Sequence, residues 1–137
     1  MEELFLSREH IQQIQAHLQA NLPEEACGLL AGWENRVSAV IPITNQAHSP
    51  VRFYMDPLEL NNALIHIEEE GLELLAIFHS HPSGPDHPSP TDIREFYYPG
   101  TAVMIWSHDG AGNWQGKAYK IDQSSYTQIA VTIIDLP

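Results

Sequence analysis

Apolar residues at Ile11, Ile14, Leu18 and Leu22 recur at spacings of three and four behind Ser7, whose hydroxyl can cap a first turn. The period predicts an amphipathic helix over Ser7 to Asn21, ended by Pro23. After two glutamates, ACGLLAGW is a continuous run of small and apolar residues, which predicts a buried strand from Ala26 to Trp33. Glu34, Asn35 and Arg36 make a polar turn into VSAVIPI, rich in β-branched residues, and the two strands are expected to pair as a hairpin. A loop with Asn45, His48 and Pro50 leads to VRFYM, read as a short strand. Asp56-Pro57-Leu58-Glu59 then opens a helix with an N-cap, an N1 proline and a capping-box acid. Leu60, Leu64 and Ile67 mark its buried side, and Gly71 is placed to end it.

The second half continues the alternation. Leu72 to Ser80 is expected as an interior strand and Pro90 to Tyr97 as a short helix. Ala102 to Ser107 and Trp114 to Ile121 are expected as strands around an Asp109-Gly110 turn, with a last strand over Ile129 to Ile134 at a sheet edge. Helices and strands alternate without a strict β-α-β rhythm. The expected class is therefore α/β, with a mixed central β-sheet flanked by helices. At 137 residues and 43% hydrophobic content, one core is supported and two are not, so residues 1–137 are expected to form a single domain.

Charge and cysteine content narrow the function. Eighteen acidic against six basic residues give a formal net charge of -12, which repels phosphate backbones, so no nucleic-acid partner is expected. Apolar runs fall well short of the roughly 18 to 20 residues a membrane span needs. The N-terminal MEELFLSREH has no basic region followed by an apolar one, so a cytoplasmic setting is expected. Cys27 stands alone, which excludes an internal disulfide and a CxxC zinc ligand pair. In a buried strand it is expected to be a packed thiol rather than a nucleophile.

Chemistry concentrates in FHSHPSGPDHPSPTD, residues 78–92. Side chains alternate faces along a strand, so His79 and His81 point to one side, their α-carbons roughly 7 Å apart. Two imidazoles so placed can converge on one ion, and Pro82 with Ser83-Gly84-Pro85 ends the strand and turns the chain back. Asp92 at the start of the next helix would add an oxygen ligand. That His2Asp set leaves a position open for water, as a catalytic zinc requires. Ser89-Pro90-Thr91-Asp92 is equally a good helix start, and a lone HxH is by itself an ordinary polar strand end. Asp86 and His87 read as solvated loop residues, and His10, His17, His48, His66 and His108 fall in no ligand spacing.

The joint pattern is more specific than its parts. His79-Ser80-His81, seven residues, Ser89, two residues and Asp92 match the HxH-x7-S-x2-D motif of the JAMM (MPN+) metalloproteases, and LPEEACGLLAG resembles the family's upstream glutamate element, with Glu25 at the glutamate position. The chain resembles the compact prokaryotic branch of that family. The resemblance implies a cytidine-deaminase-like JAB/MPN fold and one catalytic Zn2+ on His79, His81 and Asp92. It implies Glu25 as general base and Ser89 as donor to an oxyanion. It further implies hydrolysis of peptide or isopeptide bonds after the C-terminal Gly-Gly of a ubiquitin-like or ThiS/MoaD-type sulfur-carrier protein, and a homodimer. RadC-like proteins share a similar HxHPSG loop, but the net charge disfavours DNA contact. A metal-free MPN scaffold is the non-enzymatic alternative, and such scaffolds usually lack the ligands present here.

Overall fold

A computed structural model describes residues 1–134. In chain order it contains β1 (Glu3–Ser7), α1 (Arg8–Asn21), β2 (Cys27–Trp33), β3 (Arg36–Ile43), α2 (Pro57–Glu69), β4 (Glu73–His81), α3 (Pro90–Arg94), β5 (Ala102–His108), β6 (Trp114–Asp122) and β7 (Ser125–Ile134). The sheet is mixed, as expected: β1–β7, β1–β3 and β4–β5 are parallel, and the other pairings are antiparallel. Its order, β1-β3-β2-β4-β5-β6-β7, returns on itself as a closed barrel. The expectation of a central sheet flanked by helices is therefore met only in part. Closure at the β1–β3 seam rests on one pair, Phe5 with Arg36, and on the Phe5 amide donating to the Asn35 carbonyl at 2.9 Å.

Local signals explain most elements. Ser7 caps α1 by accepting from the His10 amide at 3.2 Å, and Ile14 and Leu18 are buried. Glu34 and Asn35 both take positive φ, 52° and 65°, as a two-residue hairpin turn requires. Asp56 caps α2 through the Leu58 and Glu59 amides, and Gly71 ends it at φ 69°. β4 lies between β2 and β5 and is buried along most of its length. Among the described residues no helix is long and apolar enough to cross a membrane.

Five local features differ from the sequence expectation. The segment Glu3–Ser7 is a strand, with Leu4 and Leu6 fully buried in the alternation that its LFL pattern carries. β7 begins at Ser125 and is not an edge, because β1 pairs along its free side. VRFYM forms no strand: only Met55 makes a bridge, to Asn45, and the Tyr54 amide donates to the Asn45 side-chain oxygen at 2.9 Å instead of to a ladder. Glu59 makes no capping box, since its Oε1 accepts from the Thr44 amide at 2.9 Å. α3 also stops at Arg94, short of Tyr97, and Phe96 and Tyr98 pack against the apolar cluster on the α2 side of the sheet.

The two faces of β2 and β4 serve different cores. Leu30, Ala76 and Phe78 join Ile14 and Leu18 of α1 with Met104 and Trp106. Leu29, Ala31 and Ile77 join Ala63 and Ile67 of α2 with Ile43 and Cys27. His79, two residues beyond Ile77, therefore emerges at the end of the α2 face, while Ser80 follows Phe78 on the other. The strands close tightly at Gly28, where a Cβ would come within 2.5 Å of the Phe78 ring and 2.6 Å of the Ile41 carbonyl oxygen. Gly28→Ala is expected to destabilise the fold by roughly 1–3 kcal/mol through overpacking, measured as a lower urea midpoint at unchanged m-value.

Candidate active site and metal centre

Ser80 joins the end of β4 to the approach to β2. Its amide donates to the Ala26 carbonyl at 2.9 Å, and its Oγ accepts from the Ala26 amide at 2.8 Å. That pair of hydrogen bonds places Glu25, the preceding residue, beside the strand end. The Glu25 backbone is fixed from the other side: its amide donates to the Ser49 carbonyl at 2.8 Å, and its carbonyl accepts from Asn45 Nδ2 at 2.9 Å. Glu25, His79 and His81 are all buried, with 3%, 1% and 4% exposure, which is unusual for an acid and decides that Glu25 is no surface residue.

Asp92 comes back to the same point through the start of α3. Asp92 accepts from the Ser89 amide at 2.8 Å through Oδ2, and the Asp92 amide donates to Ser89 Oγ at 3.0 Å, a complete capping box. The cap and the candidate ligand are the same carboxylate. Oδ2 lies 3.1 Å from His81 Nε2 and Oδ1 lies 3.5 Å from His79 Nε2, while His79 Nδ1 is 3.5 Å from Glu25 Oε1. Glu25, His79 and His81 offer ligand atoms within 4.8 Å of one another, and Asp92 touches both histidines.

Electrostatics follow from this crowding. Burial raises the Asp92 carboxyl, but bonds and charge from His81 and His79 and the Ser89 amide outweigh it and leave the group at about 2. Burial lowers the His81 imidazole, but Asp92, the Pro85 carbonyl and Glu25 together hold it above its ordinary value. His81 Nδ1 donates to the Pro85 carbonyl at 2.7 Å, and a carbonyl can only accept, so Nε2 is the nitrogen that faces the site. Glu25 Oε1 and His79 Nδ1 are buried without any hydrogen-bond partner. A cation fits this set: two imidazoles and two carboxyl groups, with buried polar atoms left unpaired, lack the positive charge that would compensate them. Glu25, His79 and His81 thus form a buried group that could hold a metal ion, with the partly buried Asp92 beside them.

Beside the group lies a cleft of about 390 Å³, lined by Phe53, Tyr54, Phe96 and Tyr98 and reaching His79 and Asp92. Phe53 stacks on the His79 ring with centroids 4.4 Å apart. Asn45 holds this wall, a role that the sequence did not reveal. Its side chain makes four bonds: Nδ2 to the Glu25 and Arg52 carbonyls, and Oδ1 from the Ala47 and Tyr54 amides. A polar loop residue gives no such signal, because its partners are scattered over three segments. His87 is not among the grouped residues; it pairs with Asp86 at 3.2 Å and stacks on Tyr126.

Residues 7–122 match the family described as prokaryotic homologs of the JAB domain. The chain belongs to that family. A probable TtuB-protein conjugate cleaving protease of Thermus thermophilus is 48% identical to this JAB-domain chain over 93 residues, covering 67% of the chain and 62% of the relative. A desampylase of Pyrococcus furiosus is 51% identical over 70 residues, covering 51% of the chain and 50% of the relative. The matched segments thus span between half and about three-fifths of these two relatives. A protein of Desulfitobacterium hafniense, solved in solution, superposes on the JAB-domain chain with a TM-score of 0.87 at 31% identity, covering 97% of this chain and 94% of the other.

Cys27 pairs with His79 across β2 and β4 but takes no part in the group. It is fully buried, its Sγ donates to the Ile43 carbonyl at 3.5 Å, and burial first, then Glu25 and Glu59, push the thiol up to about 12. A raised thiol stays protonated through neutral pH. Native protein at pH 8 is expected to resist iodoacetamide over a period in which urea-unfolded protein reacts completely, read as mass increase; equal rates would return Cys27 to the list of nucleophiles.

Proposed function

We propose that this JAB-domain chain is a zinc-dependent hydrolase of peptide or isopeptide bonds. Its proposed substrates are conjugates of ubiquitin-like or ThiS/MoaD-type sulfur-carrier proteins, cut after the C-terminal Gly-Gly. The observation that carries the proposal is the convergence of the buried Glu25, His79 and His81, with Asp92 in contact with both histidines, beside an open cleft. The names of the Thermus and Pyrococcus relatives support the substrate class. A cytoplasmic setting and a homodimer belong to the same proposal.

In this reading His79, His81 and Asp92 hold the zinc ion, which when bound activates water and polarises the scissile carbonyl as a Lewis acid. Glu25 does the proton work. Its Oε1 has no hydrogen-bond partner, so it is free to take the proton that the attacking water loses and to return it to the leaving amine. Water is consumed with its hydroxyl on the carbonyl carbon and its proton on the amine nitrogen. Ser89 Oγ already accepts the Asp92 amide, which leaves its O–H to donate to the oxygen that gains charge as the carbonyl is attacked. The apolar cleft orients the substrate and keeps bulk water from the reacting bond.

The direct test is cleavage of a sulfur-carrier protein fused through its Gly-Gly tail to a short peptide, with and without a chelator. Cleavage that stops on chelation and returns with Zn2+ is expected; cleavage that persists without metal would contradict the proposal. Glu25→Gln is expected to keep metal uptake and thermal stability while reducing kcat at least about 100-fold, the scale of a lost general base. Ser89→Ala should lose about 100- to 1000-fold in kcat, along with roughly 1 kcal/mol of stability from the lost cap. A stability loss with undiminished kcat would reduce Ser89 to a cap.

A further inference from the structure

Between His81 and Pro90 the chain runs through a loop without regular structure, yet its middle is firmly held. The Pro85 carbonyl takes the His81 Nδ1 proton at 2.7 Å. Gly84 lies against the same ring, where a Cβ would come within 3.2 Å of His81 Cβ and 3.4 Å of its Cγ. One residue further on, Asp86 is fastened to β6 at two points. Tyr119 Oη donates to the Asp86 backbone carbonyl at 2.6 Å, and Lys117 Nζ donates to Asp86 Oδ2 at 2.5 Å. Lys117 and Tyr119 stand two apart on β6, hence on one face. That strand is tied back to β4 through β5, with Lys117 opposite Ile105 and Ile105 opposite His79. His87 adds a stack on Tyr126, whose ring meets Tyr119 edge-on.

None of these side chains has a task in the proposed chemistry, although they grip the residue next to the one that orients His81. With the Nδ1 proton held by a carbonyl, Nε2, the nitrogen that faces Asp92, is the one that can offer a lone pair to a metal ion once its own proton is displaced. Released from that carbonyl, the ring can rotate or exchange tautomers. We propose that Lys117 and Tyr119 are positioning residues: by fastening Asp86 to β6 they hold the Pro85 carbonyl against His81 and so fix the ring nitrogen presented to a metal ion. The inference rests on the reading of His81 as a metal ligand. The two anchors differ in kind. Tyr119 grips the backbone from a buried position and Lys117 grips a half-exposed carboxylate, so Tyr119 carries the larger effect.

The test measures Zn2+ affinity of the full chain by competition with a chromophoric chelator, for the parent, Tyr119→Phe, Lys117→Met, the double variant and Lys117→Arg. The double variant is expected to bind Zn2+ about 10- to 100-fold more weakly, the usual cost of removing support behind a ligand, with Tyr119→Phe closer to it than Lys117→Met. Lys117→Arg should restore the parent affinity. Long-range proton–nitrogen spectra of the zinc-loaded protein should show His81 as a single Nδ1–H tautomer in the parent and line broadening or a second form in the double variant. A merely structural role would lower the melting temperature of the metal-free protein and leave both readouts unmoved. Should the double variant fail to fold, Tyr119→Phe, which removes one oxygen, carries the test. Parent-like affinity and tautomer in the variants would overturn the inference alone. Failure of the parent to bind Zn2+ would overturn the metal-ligand reading and the inference with it.

Discussion

Three buried side chains, Glu25, His79 and His81, meet the partly buried Asp92 at the end of one interior strand and place a demand that they cannot meet among themselves. His79 lies between two carboxyl groups, 3.5 Å from Glu25 on one side and 3.5 Å from Asp92 on the other, and His81 shares Asp92. Such a group would be costly in a core unless a cation completes it, because buried polar atoms without partners forfeit the hydration they had when unfolded. The rest of the structure can be understood as the means of holding this group together. A device that keeps unpaired donors and acceptors in place must be stiff, since the group would otherwise relax by turning outward to water.

Stiffness comes from using each local feature twice. Ser80, on the face opposite the histidines, bonds both polar groups of the Ala26 backbone and so sets Glu25 beside His79. The box that starts α3 satisfies the helix amides and presents Asp92 in the same act. Asn45, with four bonds of its own, joins the Glu25 backbone to the loop that carries Phe53 and walls the cleft. The sheet serves the same end, because β5 and β6 form a continuous support from β4 to the residues that hold the Asp86 loop.

How much of this was legible in the sequence depended on whether the signal was local. The HxH spacing, the SPTD helix start, the Asn35 hairpin turn and the Gly71 stop each have a physical cause within a few residues, and each was found in its expected place. The group around the two histidines was legible only through the match of five residues to a motif, since Glu25 lies far from His79 in the chain. What escaped depended on distant partners. β1 is short and its pairing with β7 joins the two ends of the chain, so nothing nearby distinguishes it from a leader to the helix. VRFYM has the aromatic and β-branched composition of a strand, but composition is blind to Asn45, whose amide takes the place of a strand neighbour. Glu59 likewise matched a capping box by spacing, and the Thr44 amide, fifteen positions earlier, claimed its carboxylate.

Calorimetric titration of Zn2+ into metal-free protein tests the central claim most directly, because it asks whether the group lacks a cation without requiring that a substrate be known. A single tight equivalent is expected, with binding lost in His79→Ala and in Asp92→Ala. No saturable binding, or binding unaffected by both substitutions, would contradict the account.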